Sequence, residues 1–143
     1  MINFDFYISH EKVGGLNFQI CYSISGEIVY ENSLVINEDL FSLIEDDFSL
    51  CYDCNTKKHE YYHWGINFHD GKDAIDIEKR LYYRLDKLKK NLVKDLDYHW
   101  LDNDCVNYLE INKKNFENFI IYVINFINNN QIKGRDGLYV IGI

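Results

Sequence analysis

Ile2, Phe4, Phe6 and Ile8 are separated by Asn3, Asp5 and Tyr7, and Leu16, Phe18, Ile20, Tyr22 and Ile24 repeat the alternation. A period of two sends every second side chain to one face of an extended chain, so this opening can bury an apolar face only as β-strand. Gly14-Gly15 marks a turn between the two runs, and Ser25-Gly26 makes a tight turn into a third run, EIVYENSLVI. The pattern predicts a three-stranded antiparallel meander over the first third of the chain.

From Asp73 the period changes. Ile77, Leu81, Leu85, Leu88, Leu92 and Leu96 recur at three and four residues, which predicts a long amphipathic helix from Asp73 to about Tyr98 with Asp70 or Asp73 as its N-cap. Its other face carries Lys79, Arg80, Arg84, Lys87, Lys89, Lys90 and Lys94, read as a solvated stripe that balances acidic charge elsewhere. A shorter helix is expected over NEDLFSLIEDDF, capped by Asn37, with Leu40, Leu43, Ile44 and Phe48 inward. Glu38 and Asp39 then sit near the positive end of its dipole, while Asp46 and Asp47 oppose the far end and stand out as binding candidates.

HWLDND reads as a loop and CVNYLEI as a strand. A helix is expected from Lys113 to Asn129, capped by Asn112, with Phe116, Phe119, Ile120, Val123 and Ile127 inward; Gly134 and Gly137 then bound a turn before a final strand, LYVIGI. The sum is an α+β fold: one globular domain over residues 1–143, with a mostly antiparallel sheet and a long amphipathic helix and two further helices packed on it.

The net charge of −8 has one source. Residues 13 to 56 contain no Lys, Arg or His but carry Glu27, Glu31, Glu38, Asp39, Glu45, Asp46, Asp47 and Asp53, and the other 15 acids match the 15 basic residues. A field of this sign repels nucleic-acid phosphate and anionic membrane and draws in basic partners. No run of about 18 apolar residues suits a membrane span. MINFDFYISHEK lacks a basic start and apolar core, so a cytoplasmic location is expected. The four cysteines are accordingly expected as reduced thiols or metal ligands rather than disulfides.

HEYYHWGINFHD, residues 59 to 70, places His59, Glu60, His63 and His69 at metalloprotease spacing. It resembles the metzincin signature, a resemblance that implies His59, His63 and His69 as zinc ligands and Glu60 as general base. That chemistry needs a helix, since only there do residues four apart share a face. The local pattern is instead of period two, with Tyr62, Trp64, Ile66 and Phe68 on one side, and Gly65 falls one place early. In a strand, His59 and His63 stand roughly 13 Å apart, too far for one ion. Cys51, Cys54, His59 and His63 also resemble a zinc knuckle, against which stands a hairpin in which DCNTKK joins FSLCYD to HEYYHWGINF. No glycine-rich phosphate loop or serine-nucleophile motif occurs, and His99 among Asp97, Asp102 and Asp104 reads as a solvated loop. No catalytic residue, cofactor or resident metal is therefore expected; the alternative is a zinc-binding or metalloprotease-like protein built on residues 59–69.

In size, charge and layout the chain resembles the immunity proteins of contact-dependent growth inhibition and related polymorphic toxin systems. That resemblance implies a cytoplasmic, non-enzymatic inhibitor that neutralises a cognate basic toxin, commonly a nuclease. The residues expected at the interface are Glu38, Asp39, Glu45, Asp46, Asp47 and Asp53, with Tyr52 and Trp64 as aromatic anchors.

Overall fold

A computed structural model describes residues 2–54, 60–90, 93–96, 98 and 102–142, with the backbone alone at 53, 54, 94 and 95. Its strands are β1 (Phe6–Ser9), β2 (Asn17–Ile24), β3 (Glu27–Asn37), β4 (Ile66–Asp70) and β5 (Gly137–Gly142). They form one antiparallel sheet in the order β1-β3-β2-β5-β4. The helices are α1 (Glu38–Phe41), α2 (Glu45–Cys54), α3 (Gly71–Lys89), α4 (Asn103–Ile111) and α5 (Lys113–Asn128), with short 3-10 turns at Val93–Leu96 and Asn129–Gln131. The α+β class read from the sequence is the class observed.

Alternation works as expected in β2, where Phe18, Ile20 and Tyr22 enter the core. Leu34 and Ile36 of β3 and Leu138 and Val140 of β5 join the same face, and the helices pack over it. Burying each such side chain is worth about 1.5–3 kcal/mol relative to leaving it exposed. Ser25 and Gly26 both have positive φ, 52° and 78°, the backbone of a two-residue hairpin turn whose twist matches the strands it joins.

The meander is corrected. β1 pairs with β3, Phe6 opposite Ile36, because the far edge of β2 is taken by β5. Residues 10–16 instead cross the outer face of the sheet. Gln19, buried on that face, holds them: its amide donates to the Glu11 carbonyl and its oxygen accepts from Val13 N–H.

Several expectations about the helices also change. The helix read over residues 37–48 is two helices: Asn37 caps α1, accepting from Leu40 N–H, the chain turns at residues 42–44, and α2 runs on to Cys54. FSLCYD is therefore helix and not a hairpin strand; Ile44, Phe48, Cys51 and Tyr52 are buried at helical spacing. The long helix begins with Asp70 as its cap and stops at Lys89, after which the 3-10 turn brings Val93 and Leu96 into the core; Leu92 lies outside the described residues. CVNYLEI is α4, because Asp102 caps it by accepting from Cys105 N–H and Val106 and Leu109 face inward three apart. Asn112 closes α4, its amide donating to the Tyr108 carbonyl, and does not cap α5 through its side chain. Phe116, Phe119, Ile120, Val123 and Ile127 are buried as expected.

Candidate partner-binding surface

Splitting the first helix changes the electrostatics of its acids. Glu45, Asp46 and Asp47 occupy the first turn of α2, where carboxylates favour the dipole, rather than the last turn of a longer helix. Glu38 and Asp39 hold the same place in α1. Two short helices in succession thus present two acidic first turns side by side.

Between them lies His63. Its Nδ1 is 2.6 Å from Glu45 Oε2 and its Nε2 is 3.5 Å from Glu38 Oε1, so one imidazole bridges both helices. The ring packs on Phe18 at 4.9 Å and edge-on to Trp64 at 4.5 Å, while Trp64 stacks on Phe18 and leaves 48% of its surface exposed. The backbone here is fixed by β5: Gly142 N–H donates to the Gly65 carbonyl at 2.8 Å, and a Cβ at Gly142 would collide with the His63 carbonyl. Asn67 closes the bend from the other side, donating to Tyr62 C=O and accepting from Tyr62 N–H.

That closure inverts the expected faces of this segment. Asn67 and His69 point into the core, whereas Tyr62, Trp64 and Ile66 are solvent-exposed. Only Ile66–Asp70 is strand, and residues 60–65 form no helix, so the geometry a zincin signature needs is not made there. His63 is committed to two glutamates at the surface, while His69 is fully buried with Nδ1 3.9 Å from Asp73 and edge-on contacts to Tyr52 and Phe48. Cys51 is buried in α2, and His59 and the Cys54 side chain lie outside the described residues. Among the described residues no three His, Cys, Asp or Glu side chains converge on a possible metal position, and no helix is long and apolar enough to cross a membrane.

The expected interface residues divide. Glu38, Glu45 and Trp64 meet at His63, Asp39 is exposed on α1 next to Glu38, and Asp46, exposed on α2, lines a groove with Lys79, Arg80 and Lys87 of α3. Asp47 does not belong with them. It is buried and binds Arg84 bidentately, Nε to Oδ2 at 2.7 Å and Nη2 to Oδ1 at 2.9 Å. Arg84 Nη1 also donates to the Tyr98 hydroxyl at 2.9 Å, and that hydroxyl donates to the Leu43 carbonyl. Burial works against the charge of Arg84, but the Asp47 hydrogen bonds and the Tyr98 and Asp47 interactions outweigh it and hold its pKa above the usual arginine value. Arg84 is thereby withdrawn from the solvated stripe in which the sequence placed it.

Tyr52 is likewise no exposed anchor, being buried with its hydroxyl donating to the Phe68 carbonyl at 2.9 Å, where it ties α2 to β4. The Asp53 side chain lies outside the described residues. Sequence reading missed the bridging His63. The sequence singled His63 out only as a candidate zinc ligand, because no local pattern links residue 63 to Glu38 and Glu45. Comparison with known protein families, curated proteins and solved structures gives no match.

Proposed function

We propose that the protein is a small acidic inhibitor of the immunity type, which binds a cognate basic toxin of the nuclease kind in the cytoplasm and covers its active site without catalysing a reaction. The observation that carries this reading is the grouping of Glu38, Asp39, Glu45 and Asp46 on two adjoining helix starts beside the half-exposed Trp64. Such a ridge offers carboxylates where a nuclease expects phosphates, and an aromatic anchor next to them. Complementary charge accelerates encounter, and a desolvated tryptophan slows release.

The test uses a candidate basic toxin, the product of the neighbouring upstream gene being the first to try, taken as a purified catalytically inactive protein. Reversing Glu38, Asp39 and Asp46 to Lys should slow association by about tenfold or more at low salt, with the effect shrinking as salt rises. Trp64→Ala should instead speed dissociation, costing about 2 kcal/mol. Asp47 is left alone because its loss would disturb the fold, and Glu45 because its 2.6 Å contact is the closer of the two that hold His63. Surface plasmon resonance separates the two rates, and unchanged rates in both variants would refute the assigned face.

A further inference from the structure

Beside the acidic ridge runs a groove of about 630 Å³ whose floor is Ile2, Tyr108 and Leu109 and whose rim carries Asp39, Asp102 and Asp104. It is a built feature: the Tyr108 hydroxyl donates to the Ile2 carbonyl at 2.8 Å, fixing the N-terminal segment against α4, and Leu109 is part of the core. Its volume lies within the range of pockets that accept a ligand or a partner's side chains. Among the described residues no ion pair neutralises any of the three rim aspartates. Hydrogen bonds from the Cys105 backbone and thiol keep the Asp102 carboxyl below its ordinary pKa.

An apolar floor beneath three exposed carboxylates, of which Asp102 also caps α4, has a specific complement. A free carboxylate or phosphate is repelled by the rim, and a plain aliphatic chain leaves it unpaired. A guanidinium satisfies two carboxylates at once through its planar fork and lies well on a tyrosine ring, while an adjacent apolar side chain covers the floor.

We propose that this groove is the docking site for an arginine of a basic partner protein, with that guanidinium held by Asp39, Asp102 and Asp104 and the apolar residue next to it seated on Ile2, Tyr108 and Leu109. Asp39 belongs to both the groove and the acidic ridge, so the two form one continuous surface. The inference rests on the inhibitor reading for the nature of the partner, but its chemistry can be probed without any toxin.

Cys105 lines the groove and serves as reporter, whereas Cys21 and Cys51 are buried. In a Cys54→Ser background, alkylation of Cys105 by iodoacetamide at mildly alkaline pH is followed by mass spectrometry, with acetyl-Leu-Arg-Leu-Arg-amide as the probe. At a peptide concentration ten times its Kd, modification should slow roughly tenfold, since only the free fraction reacts. Acetyl-Gly-Arg-Gly-Arg-amide should protect far less, and protection should vanish in the Asp39→Asn, Asp104→Asn double variant, whose exposed positions tolerate the change. Absent protection, equal protection by both peptides, or protection that survives the double variant would each overturn the proposal. If peptide protection holds while toxin is not neutralised, the groove stands and the inhibitor reading falls. If neutralisation depends on Glu38 and Asp46 but no peptide shields Cys105, the groove alone falls.

Discussion

Asp47 and Arg84 are 37 residues apart in sequence and form the one bidentate ion pair among the described residues, closed off by Tyr98. Desolvating both ions is costly, so the pair contributes little net stability over a well-packed apolar replacement. Its value is positional: it fixes the start of α2 against the middle of α3 and so sets where Glu45 and Asp46 project. Breaking it from one side leaves a buried charge. Arg84→Met should therefore lose about 3–5 kcal/mol in urea denaturation, and Asp47→Leu, Arg84→Met together should recover most of that loss. Additive losses in the double variant would show that the two residues act separately.

Elements with a clean period were legible in the sequence, and elements set by tertiary contact were not. β2, β3, β5, α3 and α5 follow from apolar spacing alone. The partner of β1 does not, because an alternating strand carries no mark of which edge it joins. α2 and α4 were misread over FSLCYD and CVNYLEI, where Cys, Val and Tyr favour strand but the Asp102 cap and inward side chains at helical spacing decide for helix. β4 was read as a strand with the wrong face inward, since nothing local reveals that Asn67 will spend its amide on Tyr62. At the site, the acids were visible as charge, whereas the removal of Asp47 by Arg84 and of Tyr52 by Phe68 needed the fold. The helical assignment of α2 has its own test at Ser49, half-buried in its middle. Ser49→Ala should be more stable than Ser49→Val by about 0.5 kcal/mol in urea denaturation, the order of helix propensity. A strand would favour valine, so the sign of the difference is the result to read.

Across the whole molecule, the same one-sided core that orders the helices also buries groups that titrate at high pH. Burial raises Cys51 from 9.0 to about 11, with Arg80 opposing the shift, and raises Cys21 from 9.0 to about 12. It raises Tyr22 from 10.0 to about 12, although Arg135 sits 3.7 Å above the ring and pulls the other way. Each group is neutral when protonated, and the folded chain keeps its proton where the unfolded chain releases it. Deprotonation thus favours unfolding: the contribution is whole below about pH 9, declines as pH rises past the unfolded pKa values and is lost by about pH 12. The net charge of −8 adds self-repulsion in the same direction as lysines discharge. The urea midpoint should therefore be level from about pH 7 to pH 8.5 and fall steadily above that range. Cys51→Ala separates the thiol from the general repulsion: it should lower the midpoint at neutral pH through lost packing yet flatten the decline between about pH 9 and pH 11. A parallel decline in both proteins would mean that the buried thiol does not contribute and that repulsion alone drives the alkaline loss.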